Sequence, residues 1–319
     1  MLPLRLVRSL LLLSAVALPA VSGDPARAAD CSKLVDNFNR AVETGQEAEA
    51  QGIVDQIATD AECGKYQVQA QRRLAGLRLG AAQSLMARGR PVGEYQRLLT
   101  DADRLEVLWQ AAATLAEVRF GERRFADAAL AFDRAIEIMR NESLTPTAPS
   151  KFEVDGLVER SAQSRLLAAN LRSGDEGGGF VRTARNQRDG KLGGVYAPSV
   201  RGIVPRALPV PITFEYRKAS FTSVGEQAAR ELATAVREQQ AQRVVLVGHT
   251  DVRGEPEFNV RLSVDRAEAV ANFLRDNGVN VPVETIGKGA TEPMQLTDTS
   301  GLTQDDIYAL NRRVEWRRE

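Results

Sequence analysis

One strand-loop-helix segment constrains this chain more than any other. Four apolar residues, 244–247, predict a buried strand, and the strand leads into the polar sequence Gly248-His249-Thr250-Asp251. A short loop then reaches Pro256, a residue suited to the first turn of a helix. Because this helix carries Arg266, the segment predicts an acid at a strand end, Asp251, held near an arginine of opposite charge.

Polar residues of this helix share one face. Asn259, Ser263 and Arg266 are spaced at i, i+4 and i+7, which places them on the same side of a helix. Their polar groups can therefore converge on one ligand, or on the loop that follows Asp251. The segment predicts a polar binding site around the end of the strand.

Composition narrows the class of protein. The chain has 319 residues, with 42 basic and 42 acidic side chains and a pI of about 6.7. That length allows two modest domains. The balanced charge argues against a nucleic-acid-binding protein that works by bulk electrostatics.

The N-terminus predicts a secretory signal peptide at residues 1–28. Arg5 and Arg8 precede an apolar run at 10–18, and Ala26-Arg27-Ala28 forms a cleavage pattern. A membrane anchor is the alternative, but the run is shorter than the roughly 18–20 residues that a span requires. We find no later stretch of sequence that would span a membrane, and we expect the mature chain to be exported.

Two cysteines, Cys31 and Cys63, remain in the exported chain. An even pair in an exported protein predicts a disulfide, with two unpaired buried thiols as the alternative. Asp30 stands directly before Cys31, where a lipoprotein signal has a small residue, so we do not expect a lipid anchor.

The first half, residues 29–172, is predicted to be all-α. It is rich in Ala, Leu, Gln, Glu and Arg, and it lacks strand-like alternation, metal-ligand spacing and histidine. The stretch from Phe125 to Ala135 alternates large and small residues and resembles one tetratricopeptide (TPR) unit. An ordinary helical bundle remains the alternative. Either fold predicts a protein-interaction surface. The helices are expected at about 31–44, 46–59, 65–88, 105–120, 125–140 and 151–172.

A Gly/Pro-rich linker is predicted at 173–210, and a second domain at 211–319. In the second domain strands alternate with helices, which is typical of a two-layer α/β sandwich with a small mixed sheet. The fold class is therefore α+β multidomain. Its strands are expected at 212–216, 243–248, 281–286 and 314–317.

Several motifs follow one another through this domain: Gly248-His249-Thr250-Asp251, Gly254, Asn259, Leu262-Ser263, Arg266-Ala267 and Asn311-Arg312-Arg313-Val314-Glu315. Together they resemble the OmpA-like C-terminal peptidoglycan-binding domain. The resemblance implies that the peptide stem of peptidoglycan is held through its diaminopimelate, with Asp251 on the ammonium and Arg266 on the carboxylate. It also implies that Arg312 adds a second cation, while Thr250 and Asn259 shape the loop.

Arg217 departs from the family pattern, which has a small or amide residue near the ligand. An arginine here either reinforces carboxylate binding or fills the pocket. Two plainer interpretations also stay open: Asp251 and Arg266 form only an internal salt bridge, or Arg312 only covers the sheet. His249, the sole histidine, is better explained as a packed strand-end residue than as a general base.

The predicted function is therefore a non-enzymatic periplasmic protein that binds peptidoglycan and recruits an envelope protein through its helical half. A position peripheral to the outer membrane is compatible with this prediction. We expect no cofactor, no metal and no nucleic-acid partner. One alternative is an envelope assembly scaffold that keeps the fold but no longer binds the wall. A wall-modifying hydrolase is disfavoured, because we find no paired acid and base and no zinc-site spacing.

Overall fold

The computed structural model describes residues 25–171, 178–187, 189–205, 207–296 and 298–318. Residues 1–24 of the predicted signal peptide lie outside the described residues. The chain divides into two compact units. Of the described residues, the N-terminal unit comprises 25–115 together with 141–147, and the C-terminal unit comprises 116–140 and those from 148 onward. The sequence-based domain limits placed 116–140 in the helical domain instead, and those limits stay a prediction.

The N-terminal unit is helical. A disulfide joins Cys31 to Cys63 across a Cα–Cα distance of 5.5 Å, which confirms the predicted pairing. Both cysteines are buried in an apolar core that includes Phe38, Ile57 and Leu74. The elements, numbered through the chain, are α1 (Pro25–Glu43), α2 (Glu47–Thr59), α3 (Gln67–Ala87), α4 (Gln96–Asp103) and α5 (Trp109–Gly121), of which α5 continues beyond residue 115.

The C-terminal unit packs helices against a mixed sheet of four strands in the order β1-β4-β2-β3. Strands β2 and β3 are parallel, and β4 is antiparallel to both β1 and β2. This confirms the predicted small mixed sheet covered by helices. Its elements are α6 (Phe125–Arg140), α7 (Lys151–Asn170), β1 (Ala207–Val210), α8 (Ser223–Glu238), β2 (Val244–Gly248), α9 (Pro256–Asp276), β3 (Val283–Gly287), α10 (Gln304–Asn311) and β4 (Val314–Arg317).

The first strand lies earlier than the sequence predicts. Residues 212–216 form no strand, and Phe214 makes only an isolated bridge to Phe221. The strand at 207–210 pairs with β4 instead and buries Leu208 and Val210. Pro209 lacks an N–H, which an edge strand such as β1 tolerates.

The linker is predicted to be an extended connection that is partly docked, and its described residues do dock against helices. We call residues 178–187 and 189–205 the docked segment. Carboxylates of α8 accept two of its backbone N–H groups: Glu231 binds Thr183 (2.8 Å) and Glu238 binds Leu192 (2.7 Å). Carboxylates of α6 accept two more, at Gly194 (Glu137, 2.6 Å) and Val195 (Asp133, 3.0 Å). The docked segment therefore joins α6 to α8 through side-chain to backbone bonds.

A buried ion pair lies beneath this segment. Asp133 on α6 pairs with Arg165 on α7, and both side chains are almost fully buried. Asp133 also accepts a hydrogen bond from the Ser161 hydroxyl (2.7 Å), and Arg165 donates to the Val181 carbonyl. Gly194 has φ +51° and leaves no room for a Cβ beside the Asp133 carboxylate. The Asp133 carboxylate is thus bound by α7 and by the docked segment.

We predict that Asp133→Ala destabilises the protein by about 3–5 kcal/mol, because it leaves Arg165 as an uncompensated buried charge and removes the acceptor of Val195. Urea unfolding followed by circular dichroism measures the loss. Asp155→Ala on α7 is the control: its partner Lys151 is exposed, so the change should stay below about 1 kcal/mol. Equal losses for the two variants would contradict the prediction.

Candidate functional site

The Asp251 carboxylate lies just beyond the end of β2 and is saturated with hydrogen bonds. The residue is 7% exposed. One oxygen, Oδ1, accepts from the backbone N–H (3.0 Å) and Nε (3.3 Å) of Arg253. The other, Oδ2, accepts from Nη2 of Arg253 (2.7 Å) and Nη1 of Arg312 (2.9 Å). A carboxylate has about four acceptor positions, and here all four are used.

These contacts keep Asp251 ionised. Burial alone would raise the pKa of its carboxyl group, but hydrogen bonds from Arg253 and Arg312 outweigh burial and hold the pKa below its usual value. The carboxylate is therefore an anion throughout the neutral range.

The loop after Asp251 is fixed by Asn259. Its side-chain amide donates to the Arg253 carbonyl (3.0 Å) and to the Asp251 carbonyl (3.4 Å). Gly254 adopts φ +92°, which a residue with a side chain rarely adopts. The Thr250 backbone N–H donates to Gly289 (2.9 Å), while its buried hydroxyl has no hydrogen-bond partner among the described residues. Asn259 thus contacts the loop that it was expected to shape.

Arg266 is a buried cation without a neighbouring acid. It is 5% exposed, its Nε donates to the Lys218 carbonyl (3.1 Å), and its guanidinium lies over the Phe214 ring at 4.9 Å. Burial lowers the pKa of Arg266 to about 10, with a further lowering from Arg312 and an opposing effect of Asp251. Within the described part of the chain, no carboxylate comes within 4.0 Å of it. The plain Asp251–Arg266 salt bridge is therefore not formed.

Arg217 and His249 occupy different surroundings. Arg217 has φ +56° at the tip of a turn, is exposed, and stacks its guanidinium over the Phe258 ring at 4.8 Å. His249 is buried, with Nε2 at 3.5 Å from Glu315, and it does not line the cavity described below. A packed strand-end residue is what the structure shows for His249.

A cavity of about 750 Å³ brings the predicted site residues together. All six of them line it: Asp251, Arg266, Arg312, Thr250, Asn259 and Arg217. Sequence reasoning missed Arg253, although its place two residues after Asp251 was a usable signal. It also missed residues from the helical part of the C-terminal unit, for which the sequence carries no local signal: Arg123, Leu167, Asn170 and Leu171.

Arg123 connects the turn between α5 and α6 to this cavity. Its guanidinium binds both carboxylate oxygens of Asp306, at 2.6 and 3.0 Å. Asp306 also accepts hydrogen bonds from the backbone N–H and hydroxyl of Thr303, both at 2.7 Å, and so caps α10. The beginning of α10, which borders the cavity, is therefore held from two sides.

Comparison with known proteins identifies a family domain in this part of the chain. Residues 213–304 match the model of the OmpA family, so the chain carries an OmpA-family domain and the predicted resemblance is confirmed over that range. The chain is 31% identical over 109 residues to the probable lipoprotein YiaD of Escherichia coli, covering 34% of this chain and 48% of that protein. It is 34% identical over 107 residues to the peptidoglycan-associated lipoprotein of Pseudomonas aeruginosa, covering 33% and 61%.

A solved structure shows the same partial overlap. The cell wall anchor of the T6SS from Pseudomonas aeruginosa is 27% identical, with a TM-score of 0.29, over 35% of this chain and 80% of that one. The chain spans about half the length of the curated relatives it matches. These likenesses therefore concern one domain. The TPR-like assignment stays a prediction, and among the described helices none is long and apolar enough to cross a bilayer.

We predict that lowering the pH decreases the free energy of unfolding of the wild type more than that of Asp251→Asn. The pKa of Asp251 is lower in the folded protein than in the unfolded chain, where it is about 3.9. The ionised carboxylate therefore stabilises the fold fully above about pH 3.9, and this stabilisation is lost as the pH falls through the folded pKa. Urea unfolding at pH 7 and at successively lower pH gives the difference between the two proteins. A difference that stays constant over this range would contradict the prediction.

Proposed function

We propose that this protein binds peptidoglycan non-covalently, without catalysing a reaction, by holding the diaminopimelate of the peptide stem in the cavity between Asp251 and Arg266. The observation that carries the proposal is the charge arrangement of the cavity. A buried arginine without an acidic neighbour lies in the same cavity as an ionised carboxylate. The carboxylate of a ligand with both charges on one carbon would pair with Arg266, and its ammonium would pair with Asp251 once one of the present donors moves.

Arg266 takes the ligand carboxylate in this proposal. Its planar guanidinium suits two parallel hydrogen bonds to a carboxylate, and its burial strengthens the attraction. Nε is already used on the Lys218 carbonyl, which fixes the direction of the guanidinium. Arg312 lies near enough to Arg266 to lower the pKa of Arg266, so it supplies a second positive charge to the same ligand group.

Asp251 takes the ligand ammonium, but only after a rearrangement. Because its acceptor positions are filled, the ammonium must displace one of the present donors. Arg253 is the donor that moves: its side chain is 53% exposed and stacks over the Tyr308 ring at 4.4 Å. Arg312 is less exposed and stays in place.

The remaining parts of the proposal concern place and partners. An export signal, predicted at residues 1–28, would deliver the chain to the periplasm, where relatives named as outer membrane protein A and peptidoglycan-associated lipoprotein suggest a position beside the outer membrane. The helical N-terminal part would bind an envelope protein. The names of these relatives support the wall as ligand.

A scaffold that no longer binds the wall is the second candidate. Arg217 favours the scaffold, since this arginine lines the cavity and lies over the Phe258 ring. The family has a small or amide residue at the position of Arg217. In a scaffold of this kind, the Arg217 side chain would occupy the cavity in place of a ligand.

Retention on purified sacculi tests the proposal. We expect the wild type to sediment with sacculi, and we expect Asp251→Ala and Arg266→Ala each to weaken binding by about 2–4 kcal/mol, because each leaves a charged ligand group unpaired. Arg261→Ala is the matched control, an exposed arginine on α9 that does not line the cavity.

The outcomes separate the candidates. Equal retention of the wild type and both site variants would contradict the site assignment. Failure of the wild type to sediment would select the scaffold.

We also predict that Arg253→Ala binds sacculi several-fold more tightly than the wild type, because the variant removes the cation that competes for Asp251. Arg253→Lys keeps a cation near Asp251 and should stay closer to the wild type. Titration of each variant with a soluble muropeptide gives the dissociation constants. Weaker binding by Arg253→Ala would show that Arg253 holds the loop in its binding conformation and does not compete.

A further inference from the structure

The cavity extends beyond the two charges that hold the zwitterion. The last turn of α7 contributes Leu167, Asn170 and Leu171 to its wall. These residues precede the stretch 213–304 that matches the OmpA family. Part of the binding cavity is therefore built from residues that the family domain does not contain.

The volume exceeds the needs of one amino acid. Cavities of roughly 300–1,000 Å³ hold drug-sized ligands, and this one measures about 750 Å³. A free diaminopimelate at Asp251 and Arg266 would leave much of that space to water. The cavity has room for the residues joined to the diaminopimelate in a peptide stem.

The residues at the end of α7 that line the cavity can bind a peptide. Leu171 is partly exposed and offers apolar surface that suits alanine methyl groups, while Leu167 is buried. The Asn170 side chain donates from Nδ2 to the Leu166 carbonyl (2.7 Å), and its amide oxygen accepts no hydrogen bond from the described residues. That oxygen is available to a peptide N–H.

The charge of the cavity lining also suits a peptide stem. Five arginines and four carboxylate side chains line the described cavity: Arg123, Arg217, Arg253, Arg266 and Arg312 against Glu215, Asp251, Asp305 and Asp306. Diaminopimelate alone is neutral at pH 7, whereas a stem that also contains glutamate and a terminal carboxylate is an anion. The surplus positive charge favours the stem over the free amino acid.

We propose that the last turn of α7 is a second subsite, which binds the stem residues joined to the diaminopimelate and so selects the peptide stem over the free amino acid. Arg123 is a positioning residue for this subsite, because its bond to Asp306 fixes the beginning of α10 beside the same cavity. The inference rests on the proposed function, since it assumes diaminopimelate at Asp251 and Arg266.

Titration calorimetry with two probes on the full chain tests the subsite: free meso-diaminopimelate and a disaccharide carrying a tripeptide stem. The wild type should bind the stem probe at least tenfold more tightly. Asn170→Ala should weaken stem binding about three- to tenfold, the effect of one lost hydrogen bond, and leave free diaminopimelate unchanged. Arg123→Gln removes the ion pair that fixes the beginning of α10 and should also weaken stem binding while free diaminopimelate binds as before. Phe152→Ala, an exposed residue at the other end of α7, is the control and should change neither affinity.

The outcomes distinguish the two proposals. If the wild type binds both probes equally, or if Asn170→Ala and Arg123→Gln weaken both probes to the same degree, the α7 subsite is wrong while the Asp251/Arg266 site stands. If the wild type binds neither probe, the proposed function and the subsite fail together. Asn170→Gln keeps the amide and should recover part of the preference for the stem, which a general loss of folding would not allow.

Discussion

The buried pair of Asp133 and Arg165 is the interaction on which the C-terminal unit depends. Two charges so far from water are tolerated because they pair with each other and take further hydrogen bonds: Asp133 accepts from Ser161 and Val195, and Arg165 donates to the Val181 carbonyl. The pair fixes α6 against α7 and holds the docked segment on both. Because α7 in turn supplies a wall of the cavity, the ion pair acts on the binding site without touching it.

The site itself combines a saturated anion with an uncompensated cation. Asp251 already receives hydrogen bonds from two arginines, whereas Arg266 has only a carbonyl and an aromatic face. Under the proposed function, a zwitterion would pair with Arg266 directly and would have to exchange a partner at Asp251. The arginine would then supply the attraction and the acid the discrimination, since only a cation that outcompetes Arg253 could bind Asp251.

Part of the fold and of the candidate site could be predicted from the sequence. The apolar run before Asp251 and the polar face of α9 are local patterns, so β2, α9, Asp251, Asn259 and Arg266 follow from them. Thr250, Arg312 and Arg217 were named by comparison with the family pattern. Strand β1 was missed because Pro209 and the surrounding glycines and prolines are typical of a linker. The contacts of the docked segment were not predicted for another reason: its N–H groups bind side chains such as Glu231, which lies far along the chain. Non-local bonds of this kind leave no periodic signal.

The early position of β1 bears on how the family domain can be produced in isolation. A recombinant fragment that starts at residue 211 would lack β1 and expose the hydrogen-bonding edge of β4, an edge that invites intermolecular pairing. It would also lack the docked segment, leaving Glu231 and Glu238 without their backbone donors. Poor solubility of such a fragment would reflect where the chain was cut and would say nothing about the strength of the wall-binding site.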